Sequence, residues 1–212
     1  MTFTAKKCIL GGINEIYVFS FERGQIIYMK KLVLYTTVDG NTEAVAMRIA
    51  EKIGADTAGL VRCKKVKAFG FFNNLKLRFE VLFKKKPDIF PFKWDPRDYD
   101  VIFIGTPVWY DSFNPVYNTL FNVIKVYDRK VALFSTGMKE DSTALSKMIK
   151  TWLSDSVVLD TKHCVEPIFQ EDDAECERIL DDMAAWAQDI CGTAEKMIEQ
   201  EEFERRKTIY KY

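Results

Sequence analysis

The sequence predicts an α/β protein whose parallel sheet is covered by helices on both faces. Short apolar runs recur at 31–36, 100–105 and 130–135, each ending in turn residues, as expected of strands buried on both faces. Each is followed by residues with helical spacing. The chain has 212 residues, 48% hydrophobic and 29% charged, enough for one sizeable core and unlike a wholly disordered chain.

The first unit is the clearest. "KLVLYT" reads as a strand, and Asp39-Gly40 marks a sharp turn. Val45, Ile49 and Ile53 then fall on one helical face, and Gly54 is a suitable stop. A second strand is expected within 54–62. "DVIFIG" at 100–105 leads through "TPVWYDSFN" to a helix from about Pro115. "KVALFS" at 130–135 leads through "TGMKED" to a helix carrying Leu145, Met148, Ile149, Trp152 and Leu153. "VVLDT" at 157–161 reads as the last core strand. Cys176, Ile179, Leu180, Met183, Trp186 and Ile190 mark a final amphipathic helix. The sheet then has five strands.

Residues 64–94 break this rhythm and read as an insertion. Phe72, Leu75, Phe79, Leu82 and Phe83 have helical spacing, although alternate residues from 75 to 83 also fit a strand. A helix ending before Pro87 is the better reading, because Lys76, Arg78, Glu80 and Lys84 then lie off the apolar stripe. The expected place for that stripe is against the sheet edge or near a ligand.

The organisation expected is an N-terminal extension (1–29), one domain (30–192) and a C-terminal tail (193–212). "EIYVFSFERGQIIYM" has the pattern of a hairpin turning at "ERGQ". The core pattern begins directly after Met29, which makes Met29 a candidate physiological start. The tail lacks a continuous apolar face and reads as a solvated helix.

Charge and cysteine content exclude several classes. There are 31 basic and 31 acidic residues, so net charge argues against a dedicated nucleic-acid binder. The charge is uneven: residues 64–97 carry ten basic and three acidic side chains, residues 154–204 sixteen acidic and three basic. Two solvated faces account for this more simply than a charged partner. A membrane-surface or nucleic-acid patch at the insertion is the weaker reading, since its Phe residues have core-like spacing. Cys8, Cys63, Cys164, Cys176 and Cys191 are odd in number and widely spaced, with no C-x-x-C. Neither a disulfide framework nor a zinc site is supported, and a reducing, cytoplasmic setting is expected. No apolar run reaches the ~20 residues of a membrane span.

Ligands of an open parallel sheet bind at the C-terminal ends of its strands, where strand order reverses. Three loops leave that end. Thr37-Val38-Asp39-Gly40-Asn41-Thr42 offers backbone N–H groups at a helix N-terminus and suits a phosphate; the plainer reading has Asn41 or Thr42 as helix cap. It is neither a G-K-[ST] nor a G-x-G-x-x-G loop. Thr106-Pro107-Val108-Trp109-Tyr110 places two aromatics where they could stack on a planar ring or pack against the insertion. Ser135-Thr136-Gly137 is small enough for a flat ligand to approach the backbone.

Together these loops resemble the flavodoxin-like FMN-binding family. The family pattern [ST]-x-T-G-N-T is matched by Thr37–Thr42 except at Asp39, "DYDVIFIGTPVW" stands at 98–109 and "KVALFSTG" at 130–137. The resemblance spans about 31–191 and implies a three-layer sandwich with strand order 2-1-3-4-5. It also implies FMN, with its phosphate held by Thr37, Gly40, Asn41 and Thr42. Pro107, Val108, Trp109 and Tyr110 would line the ring, and Ser135, Thr136 and Gly137 would close the other side. Val38, Asp39 and Thr106 belong to the same loops. Asp39 departs from the family, which usually has Thr there; a carboxylate facing the phosphate would weaken binding. His163 has no required role and reads as structural or solvated.

The function implied is redox chemistry through bound FMN. It is either electron transfer or NAD(P)H-dependent reduction of a quinone- or flavin-type acceptor. The partner is then a redox protein or a small-molecule electron acceptor, with no nucleic acid. Family carriers are typically strongly acidic, and this neutral chain is not. The rival from another class is a flavin-free binding module on the same fold.

Overall fold

The computed structural model describes residues 5–8, 16–19, 29–64 and 71–209. A two-stranded antiparallel pair, β1 (Ala5–Cys8) and β2 (Ile16–Phe19), precedes the main unit. The turn expected at "ERGQ" lies outside the described residues, and β2 takes β1 as its partner.

The main unit is a five-stranded parallel sheet. It comprises β3 (Lys31–Tyr35), β4 (Asp56–Gly59), β5 (Val101–Pro107), β6 (Lys130–Gly137) and β7 (Val157–Val165). Their spatial order is β4-β3-β5-β6-β7, or 2-1-3-4-5 within the sheet. The order reverses between β3 and β5, which run in parallel register from Lys31↔Val101 to Tyr35↔Gly105.

Side-chain alternation builds the two outer layers. Val33, Val101, Phe103, Ala132 and Phe134 face α1 (Asn41–Ile53) and α5 (Asp173–Ile209). Leu32, Leu34, Ile102, Ile104, Val131 and Leu133 face α3 (Val116–Val123) and α4 (Ala144–Trp152). β5 and β6 are buried throughout, which is why their central runs, Val101–Ile104 and Val131–Phe134, are apolar without alternation. Gly105 is required where the two central strands cross the core. A Cβ there would lie 2.2 Å from the Phe134 ring.

Two expectations need correction. The last strand is longer than 157–161 and is not a core strand. As the sheet edge, β7 is only partly covered, so its residues are mixed in polarity. The insertion does form a helix before Pro87, α2 (Phe71–Leu82), but it does not bury the expected stripe. Leu77 is buried, whereas Leu75, Phe79, Leu82 and Phe83 are 42%, 48%, 72% and 62% exposed.

α5 runs on through Gly192 to Ile209. Ala194 is buried in the core, and Glu201 accepts a hydrogen bond from the nearly buried Lys130 ammonium at 2.8 Å. Part of its acidity meets cations of the domain: Arg48 binds Glu177 and Asp181, and Lys162 binds Asp182.

Candidate functional site

The three segments converge at the C-terminal end of β3, β5 and β6; Thr106–Pro107 and Ser135–Gly137, expected in loops, are instead the last residues of β5 and β6. The hydroxyls of Thr42 and Thr136 are 2.8 Å apart and buried, joining the first loop to the third. The Val108 N–H donates to the Thr136 carbonyl at 2.8 Å, joining the second to the third. Gly137 has no Cβ to meet the Val108 side chain, which would stand 3.1 Å away.

The first loop turns through Gly40, whose φ of 98° lies in the left-handed region that favours glycine. α1 begins at Asn41, so Asn41 and Thr42 are its first helical residues and neither is the side-chain cap. The loop instead satisfies its own donors. The Gly40 N–H donates to Thr37 Oγ1 at 2.9 Å, and the Asn41 N–H donates to Asp39 Oδ1 at 3.1 Å. Asp39 is therefore an exposed internal anion at the positive end of α1. Val38 is 42% exposed beside it.

Asn41 is fully buried, and its Oδ1 accepts the Ile168 N–H at 2.9 Å. Its Nδ2 has no partner among the described residues. A buried amide donor without an acceptor costs about 1–3 kcal/mol, so this atom awaits one.

The second loop is a tight two-residue turn. The Trp109 N–H donates to Ser112 O at 2.7 Å and the Ser112 N–H donates to Trp109 O at 2.9 Å. Tyr110 and Asp111 between them have φ of 48° and 57°. Positive φ at both central positions is the type I′ pattern, which favours Asn or Gly. An aromatic residue held there is strained by about 1–2 kcal/mol, and such strain gathers at ligand sites. Tyr110 is 45% exposed and Trp109 is half-buried. The Arg78 guanidinium lies 5.7 Å from the Tyr110 ring centroid, so α2 borders this loop.

Asp111 holds the turn in place. Its carboxylate accepts the Thr143 N–H at 3.0 Å and the Thr143 hydroxyl at 2.9 Å, at the start of α4. These bonds, with Lys147 adding to them, hold the Asp111 carboxyl below its usual range. Thr106 and Pro107 are buried. The Thr106 hydroxyl accepts the Asn114 N–H at 3.0 Å and donates to Pro107 O at 3.1 Å, bracing the loop from beneath.

In the third segment, the end of β6, Ser135 is fully buried, its hydroxyl 2.8 Å from His163 Nδ1. His163 Nε2 donates to the Lys139 carbonyl at 2.7 Å, so His163 is a structural brace. Met138, the next residue, is 84% exposed.

The sequence reading missed a fourth segment. The 3₁₀ turn Pro167–Phe169 closes over the first loop through Ile168, whose Cδ1 would lie 3.2 Å from a Cβ at Gly40. Glu166 enters beside Asp39. Burial first, and then the Asp39 charge, push its carboxyl above the ordinary value. Asp111, at least, had a signal: it directly follows the aromatic pair. Residues 166–169 had none, because they approach the site only through the fold. A cleft lined by Lys31, Asp56, Trp94 and Tyr99 lies at the N-terminal ends of β3 and β4 and shares no residue with this site.

A family model described as flavodoxin matches residues 30–175. The chain belongs to the flavodoxin family. Flavodoxins are FMN-binding redox proteins, and FMN is the cofactor of the family. The flavodoxin fold recurs in solved structures. A flavoprotein from Lactobacillus acidophilus, solved in complex with FMN, is 23% identical with a TM-score of 0.57, over 71% of this chain and 98% of that one. A candidate flavoprotein from Bacteroides eggerthii is 21% identical with a TM-score of 0.55, over 74% and 98%. These likenesses establish the fold. No curated protein matches the chain by sequence.

The residues present fit an FMN. The unpartnered Asn41 Nδ2 supplies a donor beside the helix N-terminus. The exposed apolar side chains Val38, Tyr110, Met138 and Ile168 rim the convergent loops, an arrangement suited to a flat ring. Among the described residues no helix is long and apolar enough to cross a membrane, and no acidic or thiol cluster has the arrangement of a metal site.

Proposed function

We propose that this flavodoxin-family chain binds FMN across the ends of β3, β5 and β6 and works as an oxidoreductase or electron carrier. Thr37, Gly40, Asn41 and Thr42 hold the phosphate, with Val38 and Asp39 in the same turn. Pro107, Val108, Trp109 and Tyr110 line the ring, with Thr106 beneath them. Ser135, Thr136 and Gly137 close the opposite side. The observation that carries this reading is the Thr42–Thr136 hydroxyl pair next to the unpartnered Asn41 amide. It places donors from two loops around one small volume at a helix N-terminus.

FMN, when bound, supplies hydride and single-electron chemistry that no side chain here can supply. The chain's own residues bind and orient. Asp111, through Thr143, keeps Trp109 and Tyr110 at the rim. Ile168 covers Gly40 and limits water at the phosphate end. The reaction we favour is NAD(P)H-dependent reduction of a quinone- or flavin-type acceptor, in the cytoplasm; electron transfer to a redox protein is the alternative.

An absorbance spectrum of the purified chain, before and after FMN addition, tests the cofactor. Flavin bands and quenched Trp fluorescence are the expected result. Steady-state assays with NADH, NADPH and a quinone separate reductase from carrier.

One observation favours a second reading. The Gly40 and Asn41 N–H groups are already taken by Thr37 and Asp39, as a phosphate would take them. A colourless protein indifferent to high FMN concentrations would make this a flavin-free binding module.

A further inference from the structure

α2 presents the wrong face to solvent for a helix that serves only the fold. Leu77, Glu80 and Val81 lie on the side turned to the domain, where Glu80 pairs with Arg62 at 2.9 Å. Leu75, Phe79, Leu82 and Phe83 are spaced by four, seven and eight residues on the opposite side, and all are exposed. The rings of Phe79 and Phe83 stack on one another at 5.8 Å in the open. Lys76 and Arg78 flank the stripe on its two edges, and Lys84, Lys85 and Lys86 follow its end, all exposed. On the adjoining Arg62–Ile89 bridge, Val61 and Phe90 are 58% and 51% exposed. The helix's one carboxylate is thus turned inward, leaving an outward face of apolar centre and cationic margins.

We propose that this face docks on an anionic lipid surface, with α2 lying in the plane of the headgroups. The charge order supports lipid over a protein groove. Cations on both edges of an apolar stripe match a layer whose anionic headgroups lie above acyl chains. Phe and Leu enter the acyl boundary, and the lysine and arginine stems reach back to the phosphates. Ion pairing inside the fold already neutralises Glu80, the acidic residue of the helix itself, and the exposed Asp88 is outnumbered by Lys84, Lys85 and Lys86 beside it. Arg78 also lies over Tyr110, so docking brings the aromatic loop to the bilayer surface. The docking does not depend on flavin binding.

Co-sedimentation of the full chain with vesicles tests this. The chain should pellet with mixed phosphatidylcholine–phosphatidylglycerol vesicles and at least about tenfold less with phosphatidylcholine alone. Lys84→Gln, Lys85→Gln and Lys86→Gln together should weaken partitioning by roughly 100-fold, at about fivefold per cation. Phe79→Ser with Phe83→Ser should weaken it by about tenfold or more while leaving the melting temperature nearly unchanged, since both side chains are exposed. The lysine variant keeps the test valid if the phenylalanine variant fails to fold. Failure to pellet with anionic vesicles would overturn the proposal, as would pelleting that ignores both variants. A concentration-dependent dimer in sedimentation velocity that the Phe79/Phe83 variant abolishes would also overturn it, assigning the face to a second copy.

Discussion

The hydroxyl groups of Thr42 and Thr136, 94 residues apart in sequence, meet at 2.8 Å in the buried end of the sheet. One belongs to the first turn of α1 and the other to the C-terminal half of β6. They meet because only β5 separates β3 from β6, so the helix that follows β3 starts against the end of β6. The pair fastens the phosphate end of the proposed site to its ring end.

Removing either hydroxyl should therefore be felt twice. Thr136→Val leaves the Thr42 hydroxyl buried without its partner, a loss of about 1–3 kcal/mol in urea unfolding. FMN affinity, read by Trp fluorescence quenching, should weaken about fivefold to tenfold for Thr42→Val. An unchanged dissociation constant in both variants would remove the pair from the binding site.

Asp39 already accepts the Asn41 N–H, so a phosphate held at the proposed site would compete with it for that donor and face its charge. Asp39→Thr should tighten FMN binding by roughly tenfold to a hundredfold. Asp39→Asn, which keeps the acceptor and removes the charge, should recover most of the gain. If neither changes affinity, the carboxylate does not face the phosphate.

Glu166 gives the site a pH signature. Its folded-state carboxyl titrates above the unfolded one, because of burial and then the Asp39 charge. The folded protein thus holds this proton more tightly. Its contribution is favourable below the unfolded value and is lost as pH rises through the raised folded value. Glu166→Gln should raise the melting temperature at neutral pH and have little effect below the ordinary Glu range. A pH-independent difference would refute the assignment.

Asp111 carries the opposite sign. The Thr143 bonds depress its folded carboxyl, so its stabilising contribution is present above the unfolded value and fades as pH falls through the folded value. Asp111→Ala should lower the melting temperature at neutral pH and less so in acid. If Tyr110 needs this anchor to line the ring, the same variant weakens FMN binding.

Gly105→Ala tests the packing beneath the site. The added methyl would fall on the Phe134 ring, and overpacking of this kind costs about 1–3 kcal/mol or more. Phe134→Leu, destabilising by itself, should be partly rescued when combined with Gly105→Ala. Additive losses in urea unfolding would mean that the two positions do not share the space.

The strand order, through the family motifs, and the three segments that meet at the sheet's end were legible in the residues alone. The central runs Val101–Ile104 and Val131–Phe134 are buried on both faces, so every residue there had to be apolar and the strands were legible at 100–105 and 130–135, two residues short of their ends. Helical spacing placed α1, α4 and the first half of α5, because each buries one stripe against the sheet, while Pro115 as a helix start placed α3. The edge strand β7 was shorter in the sequence reading than in the structure, because a half-covered strand needs no apolar run. Spacing also located α2 but misassigned its stripe. Periodicity reports which residues share a face and says nothing about whether that face meets the core. Only the tertiary structure decided that Leu77 turns inward and Phe79 outward, that Asp39 occupies a helix donor, and that Glu166 and Ile168 reach the first loop. Those relations join residues far apart in the chain, and they arise where the sheet order reverses and separate loops are brought to one edge.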